Sequence, residues 1–317
     1  MNLLTAAYTY ITRSTAECRR FTLLFIYLAA AAGNTARAQT DAIFKKENYR
    51  QTMPERWELD SATRKKTFVI TPYKPIYITA GRWSSNPNTQ PTSGNPNYSL
   101  PFKVGYNNYE AKFQLSLKTK AVHGLFWGQG DLWIAYTQKA HWQIYNEKLS
   151  RPFRELNYEP ELVLNFATNF SLLGFNTRML GVAFNHQSNG RTLPLSRSWN
   201  RVIFHAGLER KNWQVYIRPW LRLPDKDDEN PDITNYVGCG DLTVIRCLGR
   251  HQLSVIGTHS LRFTNTWGRG SIQANWVFPI AGNLKGLLQV SEGYGETLVD
   301  YNHRQTTIGL SISLVEW

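Results

Sequence analysis

The sequence predicts an all-β fold, a 12-stranded antiparallel transmembrane β-barrel. Three observations lead there. Apolar and polar residues alternate with a period of two over runs of eight to thirteen residues, the spacing of a sheet with one greasy face and one polar face. No stretch after the first 38 residues is apolar for 18 positions, which excludes a spanning helix. The runs match the nine to eleven residues a tilted strand needs to cross a bilayer, and a sheet in hydrocarbon must close to leave no backbone group unpaired.

The elements follow in order. Residues 1–38 read as a signal peptide: Arg19 and Arg20 precede the apolar run FTLLFIYLAAAAG, and Ala36-Arg37-Ala38 has the small-residue form of a cleavage site. Residues 39–66 are polar and are expected on the periplasmic side, before the barrel. The barrel proper is expected over 67–317. Its strands centre on 67–83, 110–118, 132–144, 157–168, 177–188, 198–209, 212–222, 236–247, 252–262, 268–278, 283–293 and 306–316. Short turns at Lys211–Asn212 and Gly282–Asn283 join neighbours. The Asn-, Pro- and Ser-rich stretch 84–99 and the polar segment 223–235 read as long outer loops. Eleven Trp and sixteen Tyr suit aromatic girdles at the two interfaces. A soluble β-sandwich is the competing fold; strand length and the leader argue against it.

Composition narrows the function classes. The formal net charge is +13, and removing residues 1–38 leaves +10, since four Arg and one Glu go with them. A basic surface suits anionic lipid or nucleic acid. An exported chain without finger spacing or a recognition helix does not point to nucleic acid. Of three cysteines, Cys18 lies in the leader. Cys239 and Cys247 sit in one strand-like run, roughly 26 Å apart if it is straight, too far for a disulfide.

The stretch FNHQSNGRTLPLSRSWNR, residues 184–201, holds the chemistry. Leu180, Val182 and Phe184 share a phase that continues through His186 and Ser188. Across the turn, Asn200 shares the phase of Val202, Phe204, Ala206 and Leu208. All three polar residues therefore occupy the outward, lipid-facing side. A hairpin centred on Leu193 sets His186 opposite Asn200, with Ser188 two residues along on the same face. In outline this is a Ser–His–Asn triad: a serine nucleophile, a histidine base, and an amide that fixes the imidazole tautomer. The spacings H-x-S and S-x-N are weak motifs by themselves, and a histidine and serine at a strand end also suit contact with water or headgroups.

Several longer motifs then resemble the outer membrane phospholipase A family. They are YTQK (136–139), PFRE (152–155), NYEP (157–160), NHQSNGR (185–191), SRSWNR (196–201), NPDIT (230–234) and SEGYGETLVDYN (291–302). The resemblance covers nearly the whole barrel. It implies a barrel in the Gram-negative outer membrane that hydrolyses the acyl esters of phospholipids and lysophospholipids, with Ser188 as nucleophile, His186 as base and Asn200 as orienting group. It further implies dependence on Ca2+, held by the Ser196 side chain, the Arg191 carbonyl and Ser150 of a neighbouring subunit. Activity in a homodimer is implied as well, with Gln138 as a contact across the two-fold. Gln138 breaks an otherwise apolar outward phase, which a lipid-facing amide without a partner would make costly. There are departures. Leu193 stands where the family carries an aspartate at a second calcium site, which leaves Asp228 without its counterpart. Trp317 replaces the usual terminal Phe. Two other readings stand beside this one: a passive porin, for which inward Lys112, Lys139, Glu161, His205 and Arg218 would line or plug the lumen, and an adhesin whose loops bind partners.

Overall fold

The computed structural model describes residues 51–151, 153–261 and 268–317; the expected signal peptide lies outside them. Among the described residues there are thirteen strands: β1 (Ile70–Pro72), β2 (Ile76–Ser84), β3 (Tyr109–Val122), β4 (Asp131–Trp142), β5 (Glu155–Leu172), β6 (Phe175–Ser188), β7 (Ser198–Arg210), β8 (Trp213–Leu223), β9 (Gly240–Leu248), β10 (His251–His259), β11 (Gly270–Ala281), β12 (Leu284–Gly293) and β13 (Gln305–Val315). Each neighbour in sequence pairs antiparallel from β2 to β13, and β13 pairs back onto β2. That closes a twelve-stranded barrel. β1 and β2 both lie along β3, so they are two pieces of one barrel strand. The single run expected over 67–83 is split there because Pro72 and Pro75 flank the gap, and proline cannot donate to a ladder.

Alternation along each strand sorts the side chains. Leu162, Leu180, Phe184, Phe204, Leu221, Ile272, Ile308 and Leu310 are exposed on the outside. Lys112, Lys118, Lys120, His141, Glu155, Glu159, Glu161 and Arg201 are buried within. A soluble protein would invert this pattern; lipid as the outer solvent explains it. The turns at 173–174, 211–212, 249–250 and 282–283 are two residues each, and the longer connections 85–108, 143–154, 189–197, 224–239 and 294–304 gather at the opposite end. Lys211 and Gly282 take positive φ, the left-handed backbone that tight hairpins need.

The interior is filled by pairs. Glu110 receives Arg82 Nη1 at 2.7 Å and Arg154 Nε at 2.7 Å, and Arg154 reaches Asp300 at 3.0 Å. Lys112 pairs with Glu296 at 2.8 Å, Lys74 with Glu159 at 2.8 Å, and Arg218 with Asp241 at 3.3 Å. These pairs leave an internal cavity of about 230 Å3 edged by polar side chains such as Gln252, Asn275 and Gln289. The mixed inward charges thus mostly neutralise one another, the plugging arrangement rather than the lining of a wide pore.

A short helix, α1 (Met53–Trp57), packs inside the wall near the two-residue turns. It is capped by a reciprocal box in which the Thr52 hydroxyl accepts from Glu55 N–H and Glu55 accepts from Thr52 N–H, with Pro54 in the first turn. Met53 and Trp57 are buried. The Trp57 ring meets Trp133 and Tyr73 edge-on and stacks on His205, while Lys118 Nζ lies 5.0 Å above it and donates to Arg56 O. Periodicity over 39–66 shows only a polar segment, and nothing in it signals this inward packing.

Candidate active site

β6 and β7 position the chemistry. Their ladder pairs His186 with Asn200, the register expected for a hairpin centred on Leu193. His186 Nδ1 stands 2.8 Å from Asn200 Oδ1. An amide oxygen can only accept, so Nδ1 carries the proton and Nε2 is left as the basic nitrogen. Flanking Asn185, Trp199 and Arg201 are buried in the lumen, whereas Phe184 and Phe204 are exposed. The His186–Asn200 pair therefore projects outward, on the lipid side. Ser188 follows two positions along that face, opposite Ser198 on β7 and Tyr158 on β5. Among the described residues its hydroxyl makes no hydrogen bond, neither to His186 nor to any other group.

The expected cation ligands lie in and around the loop 189–197. Ser196 Oγ donates to Glu229 Oε1 at 2.5 Å, and Glu229 Oε2 is a buried oxygen with no hydrogen-bond partner among the described residues. The Arg191 side chain reaches Phe153 O at 3.4 Å. The Ser150 carbonyl accepts from Trp142 Nε1 at 2.5 Å, so it lies at the same end of the barrel on a different loop. Asp228 is engaged elsewhere, by Arg222 at 2.5 Å and by Asn230 N–H at 3.0 Å. Among the described residues no three His, Cys, Asp or Glu side chains converge as a metal cluster. The donors near Ser196 are all oxygens, a set that suits a hard cation such as calcium and not zinc. Sequence reasoning weighed Asp228 and missed Glu229; its one signal was the acidic run Asp227-Asp228-Glu229 ahead of NPDIT.

Buried Arg197 holds this loop under its neighbour. It donates to Ser196 O at 2.7 Å and Pro194 O at 3.3 Å, and reaches across to Tyr98 O at 2.7 Å and Thr92 O at 3.1 Å. Tyr301 ties three loops together: its hydroxyl donates to Asp232 and accepts from Gly94 N–H at 3.1 Å. Gln138 sits outward on β4, where its Oε1 accepts from Tyr136 Oη at 3.2 Å. Cys239 is an exposed free thiol and Cys247 a buried one.

The sequence model of phospholipase A1 matches residues 53–314, nearly the whole barrel. The chain belongs to the phospholipase A1 family. Among similar proteins, phospholipase A1 of Klebsiella pneumoniae is 38% identical over 247 residues, covering 78% of this chain and 82% of that one. Among solved structures, the Salmonella typhi outer membrane phospholipase dimer with bound calcium superposes with a TM-score of 0.71 at 35% identity, covering 81% of this chain and 95% of that one. An Escherichia coli outer membrane phospholipase A, in an active-site mutant with an asparagine changed to alanine, superposes with a TM-score of 0.70 at 35% identity, covering 80% and 94%. This phospholipase A1 family member is thus a multi-pass β-barrel of the outer membrane. Of the residues sequence reasoning assembled, the structure brings His186, Asn200 and Ser188 to one outward face and Ser196 and Arg191 to the loop beside it.

Proposed function

We propose that the chain is a calcium-dependent phospholipase A that cleaves acyl esters of phospholipids and lysophospholipids with Ser188, His186 and Asn200. One observation carries the reading: a tautomer-fixing bond between His186 and Asn200 on the lipid-facing side of the wall. Two positions along a strand face are separated by about 7 Å between Cα atoms, a gap that an imidazole and a hydroxymethyl group span together. His186 Nε2 takes the Ser188 proton as Oγ adds to the ester carbonyl carbon. The carbon–oxygen bond to the glycerol then breaks, and the same proton goes to the departing alkoxide. Water, deprotonated by His186, releases the fatty acid and restores the serine. Asn200 holds the ring through both steps without putting a second charge at the lipid border. The asparagine of the Escherichia coli active-site mutant agrees with this role for Asn200.

Calcium would be held by the Ser196 hydroxyl and the Arg191 carbonyl, with Ser150 contributed by a second copy of the chain. When bound it would supply positive charge for the developing oxyanion. The buried, unpartnered oxygen of Glu229 beside Ser196 makes a cation welcome there. A site shared between copies couples activity to assembly, and Gln138, an amide on the lipid face, is the contact we assign to the two-fold. The dimeric, calcium-bound state of the Salmonella typhi relative supports a calcium ion and a second copy of the chain as parts of this reading.

Fatty acid release from phospholipid–detergent micelles tests the reading. Wild type should be active with calcium and silent after chelation, S188A silent in both, and crosslinked dimer should rise with activity. Activity retained by S188A, or full activity from a demonstrated monomer, defeats the corresponding part.

A further inference from the structure

Ser188 projects outward, but its neighbour Asn189 turns into the wall and is 3% exposed. Its amide is bonded at every position. Oδ1 accepts from Arg197 N–H at 2.9 Å and Arg191 N–H at 3.3 Å. Nδ2 donates to Leu195 O at 2.7 Å and to the Glu155 carboxylate at 3.2 and 3.4 Å. Its backbone N–H donates to Arg197 O at 3.0 Å. An amide offers two donor hydrogens and two acceptor lone pairs, and here all four are used. One side chain thus ties the start of the loop 189–197 to three points further along it.

The anchor of this clamp is itself held. Glu155, buried at the start of β5, also accepts from Asn157 Nδ2 at 2.9 Å and from Val299 N–H at 3.3 Å. The chain must turn sharply at once, since Gly190 takes φ +63° and a Cβ there would stand 3.1 Å from the Tyr158 ring. With so tight a turn directly after Ser188, the loop's shape and the placement of Ser188 are linked.

We propose that Asn189 is a positioning residue: anchored on Glu155, it fixes the chain from Ser188 to Arg197 and so sets where the Ser188 hydroxyl stands relative to His186. This rests on the reading of Ser188 as nucleophile. A loop that merely needed closing could use its backbone and Arg197; a fully bonded amide next to the nucleophile fixes a single geometry, and an error of about 1 Å in such a geometry costs about 100-fold in rate.

Asn189→Asp tests it, because the substitution keeps the shape while removing both Nδ2 donors and setting a carboxylate against Glu155. The primary readout is the labelling rate of Ser188 by an aryl sulfonyl fluoride, in which Oγ bonds to sulfur, fluoride leaves and His186 takes the proton. Steady-state kinetics on micellar phospholipid and the gel mobility of the unheated barrel are read alongside. We expect N189D to run as folded barrel, to label about 10- to 100-fold more slowly, and to lose kcat by a similar factor with KM changed less than about threefold. N189D/E155Q should recover part of both, since the amide and the carboxylate have exchanged places. N189A, which adds no charge, carries the same expectation if N189D does not fold. Labelling at the wild-type rate in any folded variant at position 189, or no recovery in the double variant, overturns the proposal. Absence of labelling at Ser188 in the wild type would instead remove the nucleophile reading beneath it.

Discussion

Asn185 and Arg201 are cross-strand partners one rung from His186 and Asn200, and they point to the opposite side of the same sheet. Arg201 places Nη2 2.7 Å and Nε 3.0 Å from Asn185 Oδ1, with Nη2 3.2 Å from Glu159. Its guanidinium lies 4.1 Å from the Trp199 ring centre and 4.9 Å from that of Trp220. The wall behind the outward pair is therefore a packed, charge-paired rivet. Arg201→Met should cost about 3 kcal/mol, because it leaves the buried Glu159 short of one partner while Lys74 remains. Adding Glu159→Gln should recover part of that. Urea midpoints of the refolded barrel in detergent measure both.

On the outer face, His186→Ala should lower kcat by about 10^2 to 10^4-fold, the range of a lost general base. Asn200→Ala should cost less than His186→Ala, since the ring survives and only its tautomer and orientation are released. Unfolding midpoints should stay near wild type for both, as neither side chain takes part in the interior ion pairs. A larger loss for Asn200→Ala than for His186→Ala would contradict this order of roles.

Gly181→Ala should damage assembly of the barrel. Its ladder neighbours are Asn165 on β5 and His205 on β7, and His205 Nε2 lies 3.0 Å from Asn165 Oδ1 across the glycine. A Cβ at 181 would stand 2.3 Å from Leu164 O and 2.4 Å from His205 Nε2. Overpacking of this kind costs about 1–3 kcal/mol or more, and backbone leaves it no room to relax. The folded fraction on unheated gels reports it, and Gly81→Ala, whose Cβ meets nothing within 4 Å, is the control.

The loop latch should fail in alkali. Burial, and then the hydrogen bond to Asp232, push the Tyr301 phenol from its ordinary 10.0 up to about 12. A raised folded pKa means that the latch's contribution is fully present below about pH 10 and lost as pH rises through about 12. Tyr301→Phe removes the titrating hydroxyl, so its midpoint should start lower and fall less steeply over that window. Unfolding midpoints between pH 9 and 12.5 decide the matter.

Much of this was legible in the chain. The pairing of His186 with Asn200 came from phase and from a hairpin centre at Leu193, because in an antiparallel ladder the turn sets every partner. The turns at 211–212 and 282–283 were readable from Lys-Asn and Gly-Asn. The clamp at Asn189 was not, since its anchor Glu155 lies 34 residues away and belongs to another strand. Nor was the facing of Ser196 by Glu229, 33 residues off, when the neighbouring Asp228 was equally plausible by sequence and its capture by Arg222 left no trace there.

Strand count and the division into lipid and lumen faces are local properties. Each follows from side chains that alternate about a backbone of period two, so the chain alone settles them. Which lysine meets which glutamate in the lumen, where α1 lodges and how the loops latch depend on closure. When β13 meets β2, residues from opposite ends of the chain come within bonding distance, and burial then favours partners that pair most of the interior charges.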